Sequence, residues 1–459
     1  MPRRNLYLLL GITAVSLACY AKADSAYRSR YGQMSETFIE VMKQIDRHYV
    51  EPVDERQLFE AALTGMIGQL GDPYSAYEPP RQALEFRQQL DQQFGGIGIE
   101  IDPLAKPLTV ASPMVDTPAY QAGILPGDRI VAIEGESTEG LDLAAAKDRM
   151  RGEPGKPLRL TVLHPGEQAP VELTIVRAII NMPSVLGDRR DAQGRWLFTV
   201  GRQPMIGYLR ITAFGEQTVD ELRAALKALD QQGIEALVID LRHNFGGMLR
   251  AAVATCDMFV KEGVIVSTRG RDKQRNIDVF HASGKANYTR WPIAVLVDHM
   301  TASAAEIVAA CLQDRGRAVI VGERTWGKGT VQNVIPLEGG NSALKLTVAT
   351  YWRPSEKNIH RTREAAESDA WGVWPDAGMA VSLSDDELRR MIESRGQRER
   401  GFQGSARVQG SGFRVQETDK PREVVGPDDA AEPVVPLFDP CLDKAVEYLN
   451  RQITVPAAA

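Results

Sequence analysis

Four cysteines in 459 residues, Cys19, Cys256, Cys311 and Cys441, are too few and too scattered for a disulfide framework. Cys256 and Cys311 fall in apolar helical patterns, where a thiol reads as a small buried hydrophobe; a bridge between them after export stays open. A basic excess is also lacking. Against 54 Lys and Arg stand 60 Asp and Glu, a net charge of −6, so no nucleic-acid partner is expected. Zinc-type Cys or His spacing, an HExxH pair and a Walker-type loop are missing, so no metal or nucleotide cofactor is expected. The amino-terminal apolar run, 6–21, is about 16 residues, short for a membrane span. What is there is ordinary: 43% apolar and 25% charged residues suit a soluble globular chain, and the length suits two to four domains.

Arg3-Arg4 precede that apolar run, and Ala21-Lys22-Ala23 offers a small-x-small cleavage site. A cleaved export signal is favoured over an uncleaved membrane tether, with residues 1–23 as that segment. Cys19 follows Ser16-Leu17-Ala18, a poor lipoprotein signal. The expected location is the cell envelope, periplasmic or otherwise extracytoplasmic.

Periodicity then divides the chain. Phe38, Val41, Met42 and Ile45 recur at helical spacing, and a second amphipathic helix covers 58–70, with Pro52 breaking the first and Asp54 capping the second. Residues 30–92 are thus a helical region, closed by a helix over 81–92. Short alternating strands around a helix at 143–150 make 93–180 a compact module. Over 181–400 apolar strands (206–209, 236–241, 293–297, 318–321) alternate with helices (219–229, 249–259, 304–312), the pattern of an α/β layer with strands buried on both faces. Strands at 331–335 and 344–350 lack helical connections and should be antiparallel additions. Residues 401–435, rich in Gly, Pro, Ser and charge, read as a linker. In 436–459, Asp439-Pro440 reads as a cap and first-turn proline for a helix at 441–449 that docks back on the body.

The chemistry sits in Thr301-Ala302-Ser303-Ala304-Ala305-Glu306-Ile307 and, 25 residues after Ser303, in Lys328, followed by Gln332. Ser303 follows a buried strand and opens an apolar helix. Serines there are usually plain caps, but the junction also exposes Oγ beside outward-pointing N–H groups. Lys328 lies between Gly327 and Gly329. A lysine acting as general base must be neutral, which calls for burial, and Trp326, Val331 and Val334 are expected to wall it. Gln332, four residues on, falls on the same face of a strand or helix and can orient the amine. Serine and lysine make a nucleophile without histidine. His299 is the nearer alternative base, but its neighbour Asp298 points away from it. Gly246-Gly247, after the strand ending at Asp240, offer oxyanion N–H donors together with Ala304; a plain tight turn is the alternative.

These segments together resemble the carboxy-terminal processing (tail-specific) protease family of serine peptidases. The resemblance covers about 38–376 and the last helix. It rests on Tyr49-Val50-Glu51-Pro52-Val53, Asp72-Pro73-Tyr74-Ser75-Ala76-Tyr77, Phe94-Gly95-Gly96-Ile97-Gly98, Asp240-Leu241-Arg242-His243-Asn244-Phe245-Gly246-Gly247, the Ser303 segment and Gly327-Lys328-Gly329-Thr330-Val331-Gln332. It implies Ser303 as nucleophile, Lys328 as base and Gln332 as orienter, on an α/β-layered, crotonase-like ββα protease core. It also implies a PDZ domain at 93–180, whose Gly95, Gly96, Ile97 and Gly98 capture a substrate's carboxy terminus beside an added strand. The implied partners are proteins or peptides with apolar C-termini, with self-association through the terminal helices left open. The chain departs from the family at Phe245, where proline is usual, at Asp298, where asparagine is usual, and at Thr301, where serine is usual. The rival readings are a catalytically silent PDZ scaffold and a tricorn-like peptidase; Ser303, Lys328 and Gln332 are all present, which disfavours the first.

Overall fold

The computed structural model describes residues 3–102, 105–114, 116–191, 195–200, 204–272, 276–399 and 437–454. The chain forms two units, Met1–Ala83 with Gln332–Thr347, and Leu84–Val331 with Val348–Ala459. The expected linker, 401–435, lies outside the described residues.

In the first unit a helix spans Arg3–His48, running well beyond the periodic segment, and a second spans Glu55–Gly68. Asp54 caps the second as expected, accepting from the N–H groups of Arg56 (2.8 Å) and Gln57 (3.1 Å). That helix buries none of its residues. Among the described residues no helix is long and apolar enough to cross a membrane. The strand Ala76–Glu78 pairs antiparallel with residues 343–345. Glu338 ties the unit together, accepting from Arg56, Tyr77 and Ser342.

The second unit holds two separate cores. The smaller one, inside 93–180, packs Ile97, Val110, Ile130, Leu158, Leu160 and Ile175 between a four-stranded antiparallel sheet and the helix Leu143–Met150. The larger is built on four parallel strands in sequence order, Ile206–Ile211, Ala236–Asp240, Ile293–Val297 and Ala318–Gly322. Two of them are buried at every position, as their unbroken apolar runs require. Alternate side chains serve opposite faces. Leu237, Ile239, Val295 and Val297 face the helices Thr218–Gln232, Leu249–Asp257 and Ala304–Asp314. Ala236, Val238, Ala294 and Leu296 instead meet Leu442, Ala445 and Leu449 of the carboxy-terminal helix Pro440–Thr454. That helix therefore supplies much of the second layer, beside Met379 and Val381, and its two buried leucines contribute about 2 kcal/mol each by burial. The end of the strand Ser342–Trp352 pairs antiparallel with Val264–Arg269, a strand that the sequence pattern did not single out.

Candidate active site

Ser303 stands at the N-cap of Ala304–Asp314 with φ 59° and ψ −118°, a left-handed region that a residue with a Cβ rarely occupies. Such a conformation costs about 1–3 kcal/mol and persists only where the surroundings impose it. Here Glu306 imposes it, one turn into the helix, by accepting the Ser303 N–H at 2.8 Å. The segment before Ser303 is equally pinned. Thr301 Oγ1 shares its one proton between the Leu241 carbonyl (2.9 Å) and Asp298 Oδ1 (3.0 Å), and the Ala302 N–H donates to the Asn244 carbonyl (2.9 Å).

Glu306 is fully buried and accepts four hydrogen bonds. Its Oε2 takes the N–H groups of Ser303 and Lys328, each at 2.8 Å; its Oε1 takes the Gly327 N–H (2.8 Å) and the Thr325 hydroxyl (2.5 Å). One oxygen thus gathers the backbone of both residues predicted to do the chemistry, so their nitrogens lie no further apart than twice that bond length. Burial raises the Glu306 carboxyl above the usual range, and the four bonds only partly offset it. A second stitch joins the same loops: the Trp326 N–H donates to the Thr301 carbonyl at 2.9 Å. Lys328 is half-buried. Trp326 is 50% exposed, so it is not the closed wall expected from its apolar character. The glycines flanking Lys328 are needed for close approach. A Cβ on Gly329 would lie 2.3 Å from the His360 nitrogen, and one on Gly327 2.8 Å from the Arg361 side chain.

The loop after Asp240 lies against Ser303. A Cβ built on Gly246 would stand 2.7 Å from Ser303 Cβ and 2.9 Å from the Ala304 nitrogen, so only glycine leaves that space open. The Gly246 N–H, however, donates to Asn244 Oδ1 at 2.8 Å and is not aimed outward. Of the expected oxyanion donors, Gly246 therefore does not offer its own N–H. The Ala304 N–H is at the first helical position, where no intrahelical partner exists. Phe245, which stands where the resembling family has proline, is 62% exposed beside this space.

Asp298 braces the same loops. It accepts from the His243 N–H (3.1 Å), from His243 Nδ1 (2.7 Å) and from Thr301 Oγ1 (3.0 Å). Burial raises its carboxyl, but the bonds from His243 and Thr301 outweigh that and hold it below the usual range. His299 pairs instead with Glu323 at 2.9 Å, away from Asp298 as expected. Gln332 belongs to the first unit, where its amide donates to Thr347 Oγ1 at 3.1 Å; Ser303 and Lys328 belong to the second. Cys256 and Cys311 are buried unbridged thiols, and burial pushes the Cys256 thiol well up.

Gly96, Ile97 and Gly98 line a cavity of about 570 Å³ together with Met114 and Met150 of the smaller core and with Met182, Thr212 and Glu399 from beyond it. Gly95 does not line it. It sits in the sheet opposite Ile179, and a Cβ there would lie 2.1 Å from the Gly152 carbonyl oxygen. Gly98 has φ 81°, and a Cβ would meet Thr117 at 2.4 Å.

Glu306 was missed by sequence reasoning as a site residue. Its signal was present, since Ser303-x-x-Glu306 has capping-box spacing, but that spacing says nothing of Gly327 or Lys328. Asn244 carried no comparable signal.

The model of peptidase family S41 matches residues 205–377, a PDZ domain model matches 109–163, and that of the activating protease CtpB N-terminal domain matches 16–79. The carboxy-terminal-processing protease of Bartonella bacilliformis is 36% identical over 417 residues, 89% of this chain and 92% of that protein. The carboxy-terminal processing protease CtpB of Bacillus subtilis is 33% identical over 344 residues, 74% of this chain and 68% of that protein. Among solved structures, a photosystem II D1 C-terminal processing protease is 29% identical, with 75% of this chain and 92% of that one covered and a TM-score of 0.42.

Proposed function

The chain belongs to the carboxy-terminal processing proteases of peptidase family S41, serine peptidases with a PDZ domain, and from that premise we propose how its own residues cut a peptide bond. Ser303 Oγ attacks the scissile carbonyl while the Lys328 amine, neutral at that moment, takes its proton. The tetrahedral oxyanion rests on the Ala304 N–H and on the Gly247 N–H, in the space that Gly246 keeps open. Lys328 then passes the proton to the leaving amine, the peptide beyond the cut departs, and water, deprotonated by the same amine, releases the acyl group from Ser303. By the resemblance, Gln332 is the third member of this set. The observation that carries this reading is the single Glu306 oxygen accepting from both Ser303 and Lys328.

The substrate is a protein whose apolar carboxy-terminal tail enters the cavity at Gly96, Ile97 and Gly98, beside Met114 and Met150. The test compares a protein substrate carrying an apolar tail with the same protein amidated at its carboxy terminus. The free tail should be cleaved at least tenfold faster, and equal rates would remove tail recognition from the proposal. Gly98→Val should weaken binding of a fluorescent tail peptide about tenfold or more, because its side chain collides with Thr117; anisotropy titration reads this directly.

The parallel sheet, with helices on one face and Pro440–Thr454 on the other, supports a crotonase-like layered core. The amino-terminal Arg3-Arg4 and apolar run support export to the cell envelope. A helix that buries none of its residues, Glu55–Gly68, next to exposed Phe38, Ile39, Val41 and Met66, supports pairing with a second copy. Light scattering should give at least a dimer mass, and Val41→Lys with Met66→Lys should lower it to the monomer.

A further inference from the structure

The loop over Ser303 begins in a buried ionic cluster that the mechanism above leaves unused. Asp240 ends the second parallel strand, and Arg242 follows two residues later, 4% exposed. Arg242 grips Asp240 through Nε (2.9 Å) and Nη2 (2.6 Å). It also grips Asp439 with both ends of its fork, Nη1 to Oδ1 at 2.8 Å and Nη2 to Oδ2 at 2.7 Å. Arg395 Nη2 reaches one oxygen of each carboxylate at 3.2 Å, and the Tyr208 hydroxyl donates to Asp240 at 2.7 Å. Two carboxylates thus meet two guanidiniums, and the cluster is balanced in charge.

Asp439 is 1% exposed and stands at the head of the carboxy-terminal helix, where its Oδ1 also accepts the Leu442 N–H at 3.1 Å. One carboxylate therefore starts that helix and holds Arg242, 197 residues away in the chain. From Arg242 the backbone reaches Asn244 in two steps. Asn244 is the hub of the catalytic loop: its carbonyl takes the Ala302 N–H, its Oδ1 takes the Gly246 N–H, and its Nδ2 donates to the Ile211 carbonyl at 2.7 Å.

We propose that the carboxy-terminal helix is a working part of the catalytic centre, with Asp439 a positioning residue that acts through Arg242 to fix the glycine loop against Ser303. The proposal rests on the reading of Ser303 as nucleophile. A bidentate fork fixes both distance and angle, which an apolar contact does not. Docking of the helix does not depend on it, because Leu442, Ala445 and Leu449 bury its apolar face against the sheet. Holding the helix and setting the loop are therefore separable tasks. It follows that the protease becomes competent only when Asp439, at the head of its last helix, has closed on Arg242.

The test uses full-length variants, with kcat and KM on a tail-bearing substrate and the thermal midpoint measured for each. Asp439→Asn is expected to lower kcat about 10- to 100-fold, as small displacements of catalytic groups do, with KM within about twofold of wild type. Leu449→Ala, which loosens the helix without touching the clasp, is expected to lower the midpoint yet keep kcat within about twofold. The proposal is overturned if Asp439→Asn retains kcat within twofold, or if both variants lose kcat in step with their midpoints. Should Asp439→Asn not fold, Asp439→Glu, which keeps the charge on a longer side chain, takes its place with the same expectation. Ser303→Ala is assayed beside them. If it still cleaves, the nucleophile assignment falls whatever Asp439 does; if it is inert while Asp439→Asn is fully active, only the positioning role falls.

Discussion

Ser303→Ala will lower kcat/KM on a tail-bearing protein by about a thousandfold or more while the chain still folds. The side chain lost is one oxygen. The backbone N–H that Glu306 holds is kept, and the loss of a serine at an N-cap costs only about 1 kcal/mol. Inertness will thus report chemistry rather than unfolding, and a thermal melt alongside the assay separates the two. Lys328→Ala will be equally inert, and Lys328→Arg will not rescue it, since a guanidinium stays charged and cannot take the serine proton. The double variant will be no worse than either single one, because the two groups act as a unit. Cleavage by Ser303→Ala at the wild-type rate would end the assignment.

Glu306→Gln carries the next largest effect. The ionised carboxylate accepts from three backbone N–H groups and a hydroxyl. An amide keeps one acceptor oxygen and turns an NH₂ toward donors, so at least one buried N–H loses its partner, at about 1–3 kcal/mol for each. Either the Ser303 and Lys328 N–H groups or the Gly327 N–H lose their acceptor, so the strained φ of Ser303 or the turn at Gly327 loses its restraint. kcat should fall about 100-fold or more with tail binding unchanged, because Glu306 does not line the tail cavity. Steady-state kinetics and peptide anisotropy, measured on one preparation, check both halves. Burial gives the wild type a related pH dependence. A raised carboxyl takes up its proton at higher pH than an exposed glutamate, so acidification should switch activity off reversibly before the fold melts.

The legible parts were local. Alternating and unbroken apolar runs located the four parallel strands, and Asp54 and Asp439 announced helix starts that proved to be capped by those side chains. The strand Val264–Arg269 went unread because its apolar run is short and turns polar at one end. Trp326 was expected to wall the lysine, yet half of it faces solvent, since a residue type does not fix the direction of a loop side chain.

The sequence alone determined the serine at a helix start, the glycine-flanked lysine and the glycine pair after a buried strand, because each depends on neighbours a few residues away. Only the tertiary structure decided that Glu306 faces Lys328, that the Gly246 N–H is spent on Asn244, and that Asp439 closes on Arg242. The Glu306–Lys328 and Asp439–Arg242 contacts join residues 22 and 197 positions apart, and only sheet order and helix docking bring such residues within the length of a hydrogen bond.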